Sequence, residues 1–95
     1  MKTKKFGKHK ATVEDMTGHF IPNAERYTIT FGNGYGASII RNEMSYGGSE
    51  GLFELAVIGK DGGLCYDTPI TSDVIGYLSG KEVGKTLDSI KALQT

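Results

Sequence analysis

The chain has 95 residues, with 38% hydrophobic and 23% charged side chains and a formal net charge of zero. A chain of this length forms one domain with one modest core, which argues against a large internal active-site cavity. The balanced charge excludes a nucleic-acid-binding surface over the whole molecule and also mimicry of DNA charge. Cys65 is the single cysteine, so an intramolecular disulfide is excluded and a reducing compartment is favoured.

Basic residues are concentrated at the N-terminus. The first ten residues carry no acidic side chain and contain the lysines Lys2, Lys4, Lys5, Lys8 and Lys10. Because this stretch lacks hydrophobic periodicity, we divide the chain into a basic N-terminal arm, residues 1–10, and a single α+β domain, residues 11–95. A mobile arm or a peripheral strand fits the pattern, with room for a short strand near residues 10–13. The arm is not followed by the apolar core of a signal peptide, and no apolar run approaches the length of a membrane span, so we expect a soluble intracellular protein.

The first clear strand signal lies between Glu25 and Phe31. Large apolar residues alternate there with threonines, which is the pattern of a half-buried strand. Asn33-Gly34 follows and suits a type I′ hairpin turn, after which a second strand returns. The sequence leaves the register open, since we weigh Ser38 or Ile39 as the partner of Ile29, depending on the loop length.

The strongest apolar run, Leu52 to Ile58, predicts the central strand of the sheet. Glycine-rich turns flank it on both sides, and residues 64–66 predict a short fourth strand after the second turn. Glu54 interrupts the run on one face. We expect its carboxylate to be exposed or paired with a cation such as Arg41.

The pattern becomes helical after Pro69. The pattern of residues 71–78 predicts a short helix that begins at Thr71 or Ser72 and packs Ile75 and Leu78 against the core. Ser79-Gly80-Lys81-Glu82 then matches a capping box, which predicts a longer helix from Gly80 to about Leu93. The predicted fold is therefore α+β, an antiparallel β-meander of about four strands with two C-terminal helices packed on one face.

The sequence contains no pattern typical of catalysis, and we expect no metal and no cofactor. The glycine-rich stretch Gly47–Gly51 has no lysine and precedes a strand, whereas phosphate loops follow a strand and open a helix. His9, His19 and Cys65 lack the spacing of a metal chelate. An enzyme is the third reading behind two binding functions, and it would need Glu54, Cys65 or His19 to converge in a pocket.

Tyrosines near turns favour a protein interface, because the ring supplies contact area and the hydroxyl remains polar. The candidate protein interface comprises Tyr35, Tyr46, Gly47, Gly48, Glu50 and Asp67. The alternative is a nucleic-acid-binding accessory protein that contacts phosphates through the five N-terminal lysines. We expect no membrane partner, and the oligomeric state is not predicted.

Three segments of the chain resemble a known group of proteins. They read YGASIIR at residues 35–41, SYGGSEGLFELAV at 45–57 and YDTPITSDVIGYL at 66–78. In this order they resemble a family of small bacteriophage- and prophage-encoded proteins without an assigned activity. The similarity covers about Tyr35 to Leu93.

The resemblance carries no catalytic residues over to this chain. It implies the cytoplasm of a bacterial host and an accessory protein that binds a host or phage macromolecule. One specific form would be an inhibitor of a bacterial defence system, such as an anti-CRISPR protein.

Overall fold

The described part of the chain folds into a six-stranded antiparallel sheet with one α-helix on one face. The computed structural model describes residues 2–16, 24–63 and 74–93. Within them, the strands follow chain order across the sheet, so every strand pairs with its sequence neighbours. The elements are β1 (Thr3–Phe6), β2 (His9–Val13), β3 (Glu25–Thr30), β4 (Gly36–Arg41), a 3-10 turn (Gly48–Glu50), β5 (Phe53–Ile58), β6 (Ile75–Leu78) and α1 (Gly80–Lys91).

The predicted count of about four strands and two C-terminal helices is wrong. The described residues contain six strands and one helix. Strands β1 and β2 form a hairpin at the N-terminus, where only a few side chains such as Phe6 and Ala11 are buried and the period of two is therefore weak. Strand β6 stands where the first of the two helices was expected. The predicted strand at residues 64–66 lies outside the described residues.

A register shift explains why β6 has a helix-like sequence pattern. Leu78 pairs with Phe53 and Ile75 pairs with Leu55, so a step of three residues along β6 lies opposite a step of two residues along β5. The extra residue forms a β-bulge, which places Ile75 and Leu78 against the same core although they are three positions apart. A spacing of three is also the spacing of neighbours on a helix face, and the sequence alone does not separate the two cases.

The β3–β4 hairpin adopts a register that differs from both alternatives left open above. Ile29 pairs with Ala37. The loop is closed by a hydrogen bond from the Phe31 N–H to the Tyr35 carbonyl at 2.7 Å. Gly34, with φ of 89°, is the loop residue in the left-handed region. This is a three-residue loop with one left-handed position, and a type I′ turn would need two.

Asn33 in this loop caps the C-terminus of α1. Its Nδ2 donates to the carbonyl oxygens of Ile90 at 2.9 Å and Leu93 at 3.0 Å, and its Oδ1 accepts from the Tyr35 N–H at 3.0 Å. Carbonyls in the last helical turn have no partner inside the helix, so a side chain that reaches them stabilises the helix end. Asn33 therefore joins the hairpin to the helix.

Helix α1 confirms the predicted capping box. The Glu82 N–H donates to the Ser79 hydroxyl at 3.2 Å, and the Ser79 N–H donates to the Glu82 carboxylate at 3.0 Å. Val83, Leu87 and Ile90 are fully buried against the sheet. The described residues include no helix that has both the length and the apolar character needed to cross a membrane.

The sheet curls around α1. The helix packs against β1 and β6, which are the two outer strands, and also against β4 and β5. A flat sheet of six strands would separate its outer strands by about 24 Å, which is twice the width of a helix. Curling also brings aromatic rings from separate strands together, because the Phe6 ring packs edge-on against Tyr27 at 5.5 Å and Phe53 at 5.2 Å.

The β1–β2 turn rests directly on the helix backbone. A Cβ atom at Gly84 would lie 2.9 Å from the Gly7 nitrogen, so only glycine allows this approach. The buried His9 ring forms a 2.6 Å hydrogen bond to Asp88 on the same helix and packs edge-on against Phe31. The hydrogen bond from His9 lowers the pKa of Asp88 below its usual value. These contacts hold the outer strand β1 against α1.

Replacing Gly84 with alanine should destabilise the fold by about 1–3 kcal/mol, because backbone atoms must move to admit a methyl group. Chemical denaturation monitored by circular dichroism measures the loss. Gly80→Ala in the same helix is the matched control, since a Cβ atom there meets no atom within 4 Å. We expect that control to stay within about 0.5 kcal/mol of wild type. Equal stabilities for the two variants would contradict the proposed backbone contact.

Candidate functional site

Arg41 links the core of the sheet to the loop that follows β4. Its Nε and Nη2 atoms donate to the two carboxylate oxygens of Glu25 at 2.7 and 2.8 Å. The guanidinium lies over the Phe53 ring, 4.4 Å from the ring centre. Its Nη1 donates to the Gly51 carbonyl at 3.1 Å. Bidentate pairing and stacking together fix the orientation of the side chain.

Tyr27 completes this network, because its hydroxyl donates to the Glu25 carboxylate. The hydrogen bond from Arg41 lowers the pKa of Glu25 below its usual value. Burial raises the pKa of Tyr27 to about 12, and the hydrogen bond to Glu25 contributes to the rise. The carboxylate therefore remains ionised and the phenol remains neutral near pH 7, which is typical of a structural network.

Glu54 is half-buried, and the predicted pairing of its carboxylate with Arg41 is wrong. Its carboxylate accepts a hydrogen bond from the Tyr46 N–H at 3.1 Å. Arg41, the expected partner, is instead paired with Glu25. Glu54 thus holds the loop onto β5 through a backbone amide.

Residues 42–52, which we call the glycine loop, are held by backbone contacts. The Ser45 hydroxyl donates to the Asn42 carbonyl at 2.9 Å, and the Leu52 N–H donates to the Gly47 carbonyl at 3.0 Å. A Cβ atom at Gly48 would lie 1.7 Å from the Asn42 oxygen. Gly47 has φ of 86°, and a Cβ atom there would lie 2.9 Å from the Tyr77 Cα. The conformation of the loop backbone therefore requires glycine at positions 47 and 48. The sequence alone did not distinguish this requirement from a direct contact with a partner.

Tyr46 and Tyr77, which we call the aromatic surface, are exposed tyrosines whose backbones are neighbours. The Tyr77 N–H donates to the Tyr46 carbonyl at 3.2 Å. Gly76 lies under Tyr46 so closely that a Cβ atom on the glycine would come within 2.4 Å of the Tyr46 Cβ. Tyr46 is 60% exposed and Tyr77 is 58% exposed, and Met44 in the same loop is 81% exposed. The most exposed large apolar side chains of the described residues thus belong to this end of the sheet.

Tyr77 has an unusual backbone conformation. Its φ is 58°, and it is the one residue other than glycine with a positive φ in the described part of the chain. Bulky residues rarely adopt this conformation, since the Cβ atom crowds the following carbonyl at a cost of about 1–2 kcal/mol. Strain of this kind is concentrated at binding and catalytic sites.

The structure separates the other residues of the candidate interface. Glu50 is exposed in the 3-10 turn of the glycine loop. Tyr35 lies beyond the opposite end of β4, where its half-buried ring faces Lys60 at 5.5 Å. Asp67 lies outside the described residues. Tyr77 is absent from the predicted interface because its segment has a helical pattern, although the adjacent Gly76 is a signal of irregular backbone.

The N-terminal lysines do not share one face. Lys5 and Lys10 are directly opposite each other on the sheet face that α1 leaves open. Lys4 projects to the other face, 5.6 Å from the Phe6 ring centre. Lys8 lies in the turn, 3.8 Å from Asp88. This arrangement divides the positive charge between two faces and one edge.

Comparison of the chain with protein-family models, with curated proteins and with solved structures found no match. Among the described residues, no group of three or more histidine, cysteine, aspartate or glutamate side chains is placed to hold a metal ion. His19 and Cys65 lie outside those residues. His9 is engaged by Asp88.

Glu25→Gln should lower stability by about 1 kcal/mol at pH 7, a modest value because the pair is about one-third exposed. The folded-state pKa of Glu25 lies below the usual 4.5, so its contribution is present above that value. It is lost as pH falls through the folded-state pKa. Urea denaturation at a series of pH values should show the two proteins converging in acid. A difference that does not change with pH would contradict a charge-based role.

Tyr77→Gly should be more stable than Tyr77→Ala by about 1 kcal/mol, because glycine adopts a positive φ without strain. Both variants remove the exposed ring, so their difference reports the backbone alone. Thermal and chemical denaturation of the two proteins measure it. An alanine variant as stable as the glycine variant would show that residue 77 does not hold this conformation in solution.

Proposed function

We propose that this protein is a bacteriophage or prophage accessory protein that binds a host or phage protein through the aromatic surface. The observation that carries the proposal is Tyr77, which occupies a backbone conformation suited to glycine while exposing 58% of its surface. A largely exposed ring gains little from burial in the free protein and therefore offsets little of the strain. The ring would gain that burial in a complex.

Tyr46 strengthens the proposal because it doubles the aromatic area at the same place. Adjacent tyrosines supply a large contact surface with few rotatable bonds, and their hydroxyls tolerate water in the free protein. Met44 adds a flexible apolar side chain two residues away. Clusters of this composition are typical of the centres of protein interfaces.

The backbone beneath the aromatic surface is pre-organised. Glu54 binds the Tyr46 amide, Arg41 binds the Gly51 carbonyl, and β6 binds the Tyr46 carbonyl. A loop that is ordered before binding loses less conformational entropy on association. This favours recognition of a partner by a fixed surface.

The resemblance to phage proteins supplies the proposed setting. Small accessory proteins of this kind act by occupying a surface of a larger protein, and one specific form is inhibition of a bacterial defence complex, as an anti-CRISPR protein does. The alternative, nucleic-acid binding by the N-terminal lysines, has less support because those side chains are divided between faces of the sheet.

The test is affinity capture from a bacterial lysate with phage proteins expressed, using wild type and the double variant Tyr46→Ser/Tyr77→Gly. This variant keeps the Cβ atom of residue 46, which lies against Gly76, and relieves the strain at residue 77, so the fold should persist. We expect at least one protein to be captured by wild type and reduced roughly tenfold or more with the variant. Titration of that purified protein then gives the change in Kd.

Lys60→Ala is the control, because Lys60 is exposed in the turn beyond the far end of β5. It should capture the same protein as wild type. The proposal fails if no captured protein depends on the two tyrosines. It also fails if the dependent material is nucleic acid that nuclease removes.

A further inference from the structure

We infer that the segment of the partner that contacts the aromatic surface is rich in arginine and lysine; this inference rests on the proposed function. Residues 42–54 carry three carboxylates and neither lysine nor arginine. They are Glu43, Glu50 and Glu54. The chain as a whole is neutral, whereas this segment carries three negative charges.

One of the three carboxylates contacts Tyr46 directly, and the other two belong to the same loop. Glu54 is within hydrogen-bond distance of the Tyr46 amide, and Glu43 and Glu50 are exposed in the loop that carries this tyrosine. Charges at the edge of an exposed aromatic pair select partners of opposite sign and raise the association rate. An acidic partner would be repelled at the same positions.

Arg41 does not neutralise these carboxylates, because its Nε and Nη2 atoms are already paired with Glu25. Beside that pair, an open cavity of about 520 Å³ lies between β4 and the glycine loop, and Glu43 is among its lining residues. The cavity has the volume for a long side chain from a partner. Its charged lining residues are Glu25, Arg41 and Glu43, which leave a net negative charge, so a cationic side chain is favoured there.

Arginine has groups that suit both the tyrosines and the carboxylates of this surface. Its planar guanidinium stacks on tyrosine rings and pairs with carboxylates in a bidentate manner, and its apolar stem packs on groups such as Met44. Lysine satisfies the charge but not the stacking. The structure already contains one such combination, since Arg41 stacks on Phe53 and pairs with Glu25.

The test uses a fluorescent peptide of alternating arginine and glycine as the probe, with peptides containing lysine or glutamate in place of arginine as comparisons. Fluorescence anisotropy at low and high salt gives the affinities, and NMR amide shifts locate the binding site. We expect the order arginine, lysine, glutamate, with no detectable binding of the last. Salt should weaken binding, and the shifts should centre on Tyr46 and Tyr77.

Removal of two carboxylates by Glu43→Gln/Glu50→Gln should weaken arginine-peptide binding roughly fivefold. Asp61→Asn is the matched control, since it removes one carboxylate from the turn beyond the far end of β5 and retains an oxygen for the Gly63 amide. The control should bind as wild type does. The inference is overturned if Glu43→Gln/Glu50→Gln and Asp61→Asn bind the arginine peptide with equal affinity. It is also overturned if the glutamate peptide binds as tightly as the arginine peptide, or if the amide shifts are spread over the whole surface.

The protein captured in the preceding experiment separates the two proposals. If its binding is lost with Tyr46→Ser/Tyr77→Gly but retained with Glu43→Gln/Glu50→Gln, the proposed function stands and the basic partner is excluded. If binding survives loss of the tyrosines, the proposed function itself fails. A loss with both variants supports both proposals.

Discussion

The arrangement of the candidate site depends on the contacts made by the Arg41 side chain. It reaches the core through Phe53, the neighbouring strand through Glu25 and the glycine loop through Gly51. A single cation thus connects a packed interior to a surface loop that contains few apolar residues of its own. Because Glu25 also accepts from Tyr27, the charge of the pair is satisfied where it is partly removed from water. In the same loop, Tyr46 is held by Glu54 and by the Tyr77 N–H.

Local signals made much of the fold predictable from the sequence. Alternation from Glu25 onward, the apolar run in β5 and the capping box at Ser79 are each encoded within a few residues, and the structure contains the corresponding elements. The glycine-rich turn before β5 was also predicted, and Tyr46 and Glu50 within it are exposed, while their role in an interface stays a prediction.

Features that depend on distant residues were not predictable. The N-terminal hairpin is ordered by contacts such as that between Gly7 and Gly84, and neither glycine alone indicates the other. The bulge in β6 gave a helical spacing, so the exposed Tyr77 was assigned to the wrong element. Asn33 resembled a turn residue, whereas its side chain caps a helix more than fifty residues away in the sequence. Tertiary structure selected among local alternatives at all three places.

The irregularity of β6 also affects self-association of the protein at high concentration. An outer strand with regular spacing is a template onto which a strand of another molecule can add. In β6, the bulge and the left-handed residue at its centre interrupt that template. The other outer strand, β1, is regular but carries adjacent lysines, Lys4 and Lys5, which repel an identical strand. Strand addition between molecules is thus opposed by backbone geometry at β6 and by positive charge at β1.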